Sequence, residues 1–346
     1  MLYNTANPHG GDIYGSEVTL DFSANINPLG PPENVTCALI EALENLHFYP
    51  DPYCRELVQA ISLHEGVKSE QVLCGNGASE LIYAFSKSLK PQRVMLLAPT
   101  FSEYALSVGD QALILPYELQ EKEDFLVGED LIRALREQRP EILFLCNPNN
   151  PTGQLVGKDL LLRILQECEK LGCLLFLDEC FMDLSDRDLT MKEYLEDYQN
   201  LVILKALTKS YGLAGLRVGY VLSSNEELLQ AMSQETQPWN VSSLAQVGAK
   251  EALAARGHIL CYKRMIKEQR PVLREALQSF GFRVVPSEVN FLLFKASKDL
   301  GRTLLERGIK LRDCSNYQGL EEGWYRVCVR DKEDHSRLIK SIEELI

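Results

Sequence analysis

Asn150 in NPNNPTG, Asp178 in LLFLDEC, and Lys209 and Arg217 in LTKSYGLAGLRVG are an amide, a carboxylate, an amine and a guanidinium, the first three at the ends of apolar runs. Asn147, Asp178 and Lys209 follow one another at equal intervals (178 − 147 = 209 − 178 = 31), the beat of a strand, a crossover helix and a strand. In an open parallel sheet the carboxyl ends of the strands border the ligand crevice, so these groups converge on one small molecule. Pyridoxal phosphate asks for this set. Its aldehyde reacts with a lysine amine, its ring nitrogen stays protonated beside a carboxylate, and its phosphate takes cationic and amide donors. Lys209, Asp178 and Arg217 supply the three charged parts.

A further phosphate-binding feature lies in LCGNGASELIYAF, which reads as a strand end, a Gly-Asn-Gly turn and a helix start. The free amides of Ala78 and Ser79 at such a helix N-terminus suit a phosphate. A dinucleotide fingerprint would place another glycine where Glu80 stands, so a nicotinamide site is the weaker reading. Taken singly, each residue also has a plain explanation. Asp178 reads as a loop acid, Lys209 as a solvated lysine, Arg217 as a stem packed on a sheet and Asn150-Pro151 as a turn. The joint placement of four suitable types at crevice-facing strand ends favours the site.

The elements that must position them form an α/β pattern. Helical periods at 56–64, 79–89 and 160–171 alternate with strand candidates at 94–98, 142–146, 174–177, 201–204 and 218–222, which predicts a doubly wound, mostly parallel sheet. Beyond Trp239 the pattern changes to one long charged helix over about 245–280, then strand candidates at 282–286, 290–295 and 325–329. The expected organisation is an N-terminal arm over 1–40 shared with the small domain, a large coenzyme-binding domain over 41–244, and a small α+β domain over 245–346 that closes the crevice.

Composition narrows the partners. A net charge of −13 argues against nucleic acid, whose phosphates are held by basic faces, while a pocket with a local field of opposite sign still admits a small anion. No apolar run has the length of a membrane helix, and the polar, glycine-rich N-terminus lacks the pattern of a signal peptide, so a cytoplasmic protein is expected. The ten cysteines include no C-x-x-C pair and read as reduced core thiols rather than metal ligands.

NPNNPTG, LDEC, LTKSYGLAGLR and the late RVCVR resemble fold-type I pyridoxal-phosphate aminotransferases of the histidinol-phosphate branch, over nearly the whole chain. Within that branch HGG, LDFSANINPLGPP and LRDCSNYQGL are similar to the L-threonine O-3-phosphate decarboxylases of cobalamin synthesis. The resemblance implies that Lys209 forms the Schiff base, Asp178 partners the ring nitrogen, Asn150 donates to the 3-hydroxyl and Arg217 binds the phosphate. It further implies that Ala78 and Ser79 form the amide cradle and that Phe101 stacks on the ring. Tyr49 in FYPDP would reach the coenzyme phosphate of a neighbouring subunit, which implies a homodimer with shared active sites. Arg326 would take the substrate carboxylate, and His9, Asn25 and Arg312 would line the pocket for a small phosphorylated amino acid.

Two positions depart from many members of the branch. Phe181 stands where a tyrosine often reaches the coenzyme, and Ala206 where a serine or threonine often meets its phosphate. The group of decarboxylases shares the phenylalanine, so the first departure favours decarboxylation of L-threonine O-3-phosphate. The alternative is an aminotransferase for histidinol phosphate or a related amine. A coenzyme-containing regulatory or binding protein is a third reading, and no attached DNA-binding segment accompanies it.

Overall fold

The computed structural model describes residues 8–14 and 17–346; residues 1–7, 15 and 16 of the expected arm lie outside the described residues. Seven strands form the main sheet: β2 (Val72–Gly75), β3 (Arg93–Ala98), β4 (Leu113–Glu118), β5 (Ile142–Cys146), β6 (Leu174–Asp178), β7 (Leu201–Ala206) and β8 (Gly219–Leu222), with β1 (Leu20–Asp21) outside it. Their order is β2-β8-β7-β6-β5-β3-β4, parallel throughout except that β8 runs against both of its neighbours. The central strands β5, β6 and β7 are buried on both faces, which is why they read as unbroken apolar runs. Leu143, Leu145, Leu175 and Leu177 point into one core, while Phe144 and Phe176 point into the other. The sequence reading passed over β4, an edge strand with half-exposed residues and an internal Pro116.

The second sheet is antiparallel and contains β9 (Arg283–Val284), β10 (Phe291–Lys295), β12 (Arg312–Asp313) and β13 (Trp324–Cys328) in the order β12-β13-β10-β9. A parallel pairing of β1 with β11 (Ile309–Lys310) ties the N-terminal segment to it. Side chains alternate across this sheet. Tyr325 and Val327 enter the core that holds Leu273, Leu277 and Leu338, whereas Trp324 and Arg326 face the large sheet. A register slip of one residue in β13 would turn Arg326 into that apolar core, so the same pattern that packs the small sheet also aims the arginine.

The single long helix expected over 245–280 is two helices, Ser243–Ala254 and Arg256–Ser279, broken at Ala255, whose φ of −87° and ψ of 49° are not helical. The Ser242 hydroxyl accepts the Ala245 amide and caps the first of them. That helix lays Ala245, Ala249 and Ala252 into the core beneath the large sheet, against the Glu33–Ala42 and Arg55–Glu65 helices. The second carries Leu273 and Leu277 under the small sheet. The change of core therefore falls within the segment that its charge pattern presents as one helix.

A buried ion network braces the strand end that leads to Lys209. Lys205 on β7 lies 2.9 Å from Glu65 and 3.0 Å from Asp183, Lys192 lies 2.9 Å from Glu65, and the Tyr220 hydroxyl donates to Glu65 at 2.6 Å. Burial opposes the Glu65 charge, yet the two amines and the hydroxyl hold its carboxyl at about 2, below the ordinary 4.5. A carboxyl depressed in the folded state stabilises the fold above its unfolded value and loses that contribution as pH falls through the folded one. Acid titration of unfolding should therefore show stability falling between about pH 4.5 and 2, by on the order of 3 kcal/mol from this group. Lys205→Met should lower stability by roughly 3–5 kcal/mol at neutral pH, because it strands buried carboxylates, and the acid decline should become shallower, because the Glu65 carboxyl moves up toward its unfolded value once Lys205 is gone. A variant as stable as the parent would show that the network contributes nothing.

Candidate active site

A cavity of about 220 Å³ lies at the carboxyl ends of β5, β6 and β7, between the large sheet and the inner face of the small one. Of the residues singled out from sequence, His9, Asn25, Ala78, Ser79, Phe101, Asn150, Asp178, Lys209, Arg217, Arg312 and Arg326 all line it. Tyr49 does not. It is 79% exposed and stacks on Trp239 at a ring separation of 4.7 Å.

Asp178 ends β6 and is buried; its Oδ1 accepts the Cys180 amide at 2.9 Å and its Oδ2 accepts the Tyr104 hydroxyl at 2.6 Å. Among the described residues no cation pairs with it directly. Burial pushes its pKa up, opposed by the Cys180 and Tyr104 hydrogen bonds and by the Lys209 charge. Lys209 lies in the short helical turn Leu207–Ser210 that follows β7, and its amine has no hydrogen-bond or ion-pair partner among the described residues. Burial lowers the pKa of that amine, the Arg326 and Arg217 charges add to the effect, and Cys180 and Asp178 oppose it. The backbone of the turn is tied down from the N-terminal segment: the Asn27 amide donates to the Lys209 carbonyl at 3.0 Å and its side chain to the Ser210 carbonyl at 2.9 Å.

The helix Gly77–Leu89 opens beside Arg217. Gly77 has a φ of +81°, and a Cβ there would stand 2.6 Å from Arg217 Nη2, so glycine satisfies both the turn and the close approach of the guanidinium. First-turn amides have no partner within their helix, and here those of Ala78 and Ser79 belong to residues on the cavity wall.

Across the cavity, Arg326 donates Nη1 to Asn150 Oδ1 and Nη2 to the Ser23 carbonyl at 2.9 Å, while its buried Nε has no acceptor among the described residues. With Oδ1 occupied, Asn150 offers its Nδ2 as the donor end. Arg312 is the direct cross-strand neighbour of Arg326, donates Nη2 to the Pro8 carbonyl and to Asn316 Oδ1, and lies 5.2 Å from the Tyr317 ring centre. His9 Nε2 meets Glu103 Oε1 at 2.5 Å, and the His9 ring lies 5.5 Å from Phe101. Asn25 is buried and its Oδ1 has no partner among the described residues.

Sequence reading missed Glu103 and Tyr104, two and three residues beyond Phe101, which bond to the lining residues His9 and Asp178, and it missed Tyr317 and Thr208, which themselves border the cavity. Tyr317 stood within LRDCSNYQGL and Thr208 beside the lysine, so position was the available signal. No group of three or more metal-ligating side chains occurs among the described residues, and no helix among them is long and apolar enough to cross a membrane.

The model for aminotransferases of class I and II matches residues 17–342, and the chain belongs to that family, whose members are pyridoxal-phosphate enzymes. It is 34% identical over its whole length to a threonine-phosphate decarboxylase of Salmonella typhimurium, covering 98% of that protein. It is 32% identical to a histidinol-phosphate aminotransferase of Thermoanaerobacter pseudethanolicus, over 97% of this chain and 95% of the relative. Among solved structures, the histidinol-phosphate aminotransferase of Clostridium acetobutylicum matches with a TM-score of 0.88 and 27% identity, over 94% of this chain and 98% of that one. The fold is thus the fold-type I architecture.

The residues present fit pyridoxal phosphate. A buried carboxylate without a cation, a lysine amine without an acceptor and a helix N-terminus beside an arginine are the complements of a protonated ring nitrogen, an aldehyde and a phosphate. Lys209→Ala should abolish turnover and also the coenzyme attachment that borohydride fixes. Mass spectrometry of the reduced protein checks it, and a coenzyme adduct still fixed to the variant would remove Lys209 from this role.

Proposed function

We propose that the protein decarboxylates L-threonine O-3-phosphate to (R)-1-aminopropan-2-yl phosphate, as a step of cobalamin biosynthesis. The observation that carries this reading is the placement of Arg312 and Arg326 as direct cross-strand neighbours, both buried and both on the cavity wall. Like charges set opposite each other on a sheet repel, and a substrate with two anionic ends, a carboxylate and a phosphate, offsets that repulsion. The full-length likeness to a threonine-phosphate decarboxylase supports the same choice.

When bound, pyridoxal phosphate supplies a cationic ring that accepts the electron pair of the bond broken at the substrate α-carbon. Asp178 holds the proton at the ring nitrogen, and Asn150, Arg217 and the amides of Ala78 and Ser79 hold the coenzyme's oxygens. Lys209, with its lowered pKa, is present to a greater extent as the free amine, the form that attacks and that takes up protons. Arg326 holds the carboxylate, and Arg312 with His9 and Asn25 holds the phosphate. A grip on the phosphate, remote from the reacting bond, sets which bond at the α-carbon is presented for cleavage.

The segment around Tyr49, with exposed Ile40, Leu43, Leu46 and Phe48, supports a homodimer in which each subunit's Tyr49 reaches its neighbour's coenzyme phosphate. The aminotransferase reading has its own support in the likeness to histidinol-phosphate aminotransferases.

CO2 release from L-threonine O-3-phosphate by the coenzyme-loaded protein, with no 2-oxo acid present, tests the reaction. Many turnovers per enzyme are expected. No release, together with amino transfer from histidinol phosphate to a 2-oxo acid, would replace decarboxylation by transamination. Arg312→Ala should raise KM for the phosphorylated substrate by roughly tenfold or more, with a far smaller effect on the unphosphorylated amino acid. Equal losses for both substrates would take Arg312 out of phosphate recognition.

A further inference from the structure

The Tyr104 hydroxyl borders neither the cavity nor solvent, yet it bonds to a charge on which the coenzyme depends. We infer that Tyr104 is a positioning residue for the coenzyme, its hydroxyl holding Asp178 in the orientation and the ionised form that a protonated ring nitrogen needs. Tyr104 is fully buried in the Glu103–Val108 helix. Its ring stacks on Phe144 at 5.2 Å and 15°, and meets Phe101 edge-on at 5.7 Å and 80°. Two aromatic contacts thus fix the ring, and the ring fixes where its hydroxyl points.

The bond matters because of what surrounds the carboxylate. The titratable groups facing Asp178 are Tyr104 from that helix, Cys146 from β5, Cys180 just beyond β6 and Lys209 from the turn after β7. Only Lys209 among them is a cation, and it makes no direct pair with the carboxylate. Burial favours the neutral acid, which has no attraction for a protonated ring nitrogen. Two fixed donors, the Cys180 amide and the Tyr104 hydroxyl, counter it, one on each oxygen. Burial and the neighbouring Asp178 charge also raise the Tyr104 phenol well above its ordinary value, so it stays a donor through the neutral range. Because Phe101 abuts Tyr104, one residue braces both the side chain expected to stack on the coenzyme ring and the side chain that holds its nitrogen. The inference is independent of which bond the enzyme breaks.

Tyr104→Phe keeps both aromatic contacts and removes one oxygen. Its test is the dissociation constant of pyridoxal phosphate, followed by coenzyme absorbance from pH 5.5 to 9, in the parent, in Tyr104→Phe, in Asp178→Asn and in the double variant. With one donor lost, the Asp178 pKa rises further and the carboxylate protonates at a higher pH. The acid limb of coenzyme affinity should then move up by about one pH unit, so that the loss grows toward the acid end of the range and is much smaller at pH 8. In the Asp178→Asn background the same substitution should change little. An equal loss at every pH in both backgrounds would show that Tyr104 acts only through packing and would overturn the inference. An unchanged profile would overturn it as well.

Discussion

Charge held on a cavity wall without a direct counter-charge is the constraint on which the rest of the structure depends. Asp178, Lys209 and Arg326 all border the cavity, and among the described residues none of them forms an ion pair there. Keeping such groups away from water is costly unless fixed dipoles or a ligand complete them. The fold supplies part of the completion: a phenol and an amide on Asp178, a side-chain amide and a backbone carbonyl on Arg326. What remains unsatisfied has the pattern of a zwitterionic ligand, cationic at its ring and anionic at its periphery. The chain as a whole carries −13, so attraction for anionic groups is local to this cavity, where Lys209, Arg217, Arg312 and Arg326 face Asp178, the one acid among the described residues that line it.

Such an arrangement persists only if its supports are rigid. Asp178 closes a strand buried on both faces, and Lys209 follows a strand whose own Lys205 is held by Glu65 and Asp183. The N-terminal segment is the third support. It adds β1 to β11, accepts the Cys328 amide at Phe22, offers Ser23 to Arg326 and clasps the Lys209 turn through Asn27. One N-terminal stretch thus touches the small sheet and the Lys209 turn, which couples the position of the small sheet to the position of that amine.

Much of this was legible in the sequence because parallel strands buried on both faces leave uninterrupted apolar runs, and the residue ending each run faces the crevice. The apolar runs alone place Asn150, Asp178 and Lys209 at that crevice. Arg326 and Arg312 were placed by family resemblance, since nothing in the local pattern separates them from surface charges. The edge strand β4 was missed because an edge tolerates polar residues and a proline, which blur a strand's pattern. The break at Ala255 was missed because charged residues continue across it, and helix ends are set by backbone geometry and packing as much as by composition. Tyr104 was missed for a different reason: its partner Asp178 lies 74 positions away, and only the packing of the Glu103–Val108 helix over β5 brings them together.

The division of labour between the two sheets explains why resemblance fixes the coenzyme more firmly than the reaction. The residues that fit pyridoxal phosphate stand mainly on the large sheet and its first helix, and they serve cleavage of either bond at the α-carbon equally well. The choice between bonds is a matter of orientation, which is set by groups that grip the substrate away from the reacting centre. The groups proposed for that grip, Arg312, Arg326, His9 and Asn25, stand on the small sheet and the N-terminal segment. Arg312 and Arg326 share one register position of an antiparallel pair, so their spacing is set by the ladder rather than by flexible side chains alone. A substrate held at two points of that ladder has little freedom to rotate about the bond joining them. On the proposed reading the choice of reaction follows from the spacing of two arginines, and the coenzyme residues opposite carry out what that spacing presents.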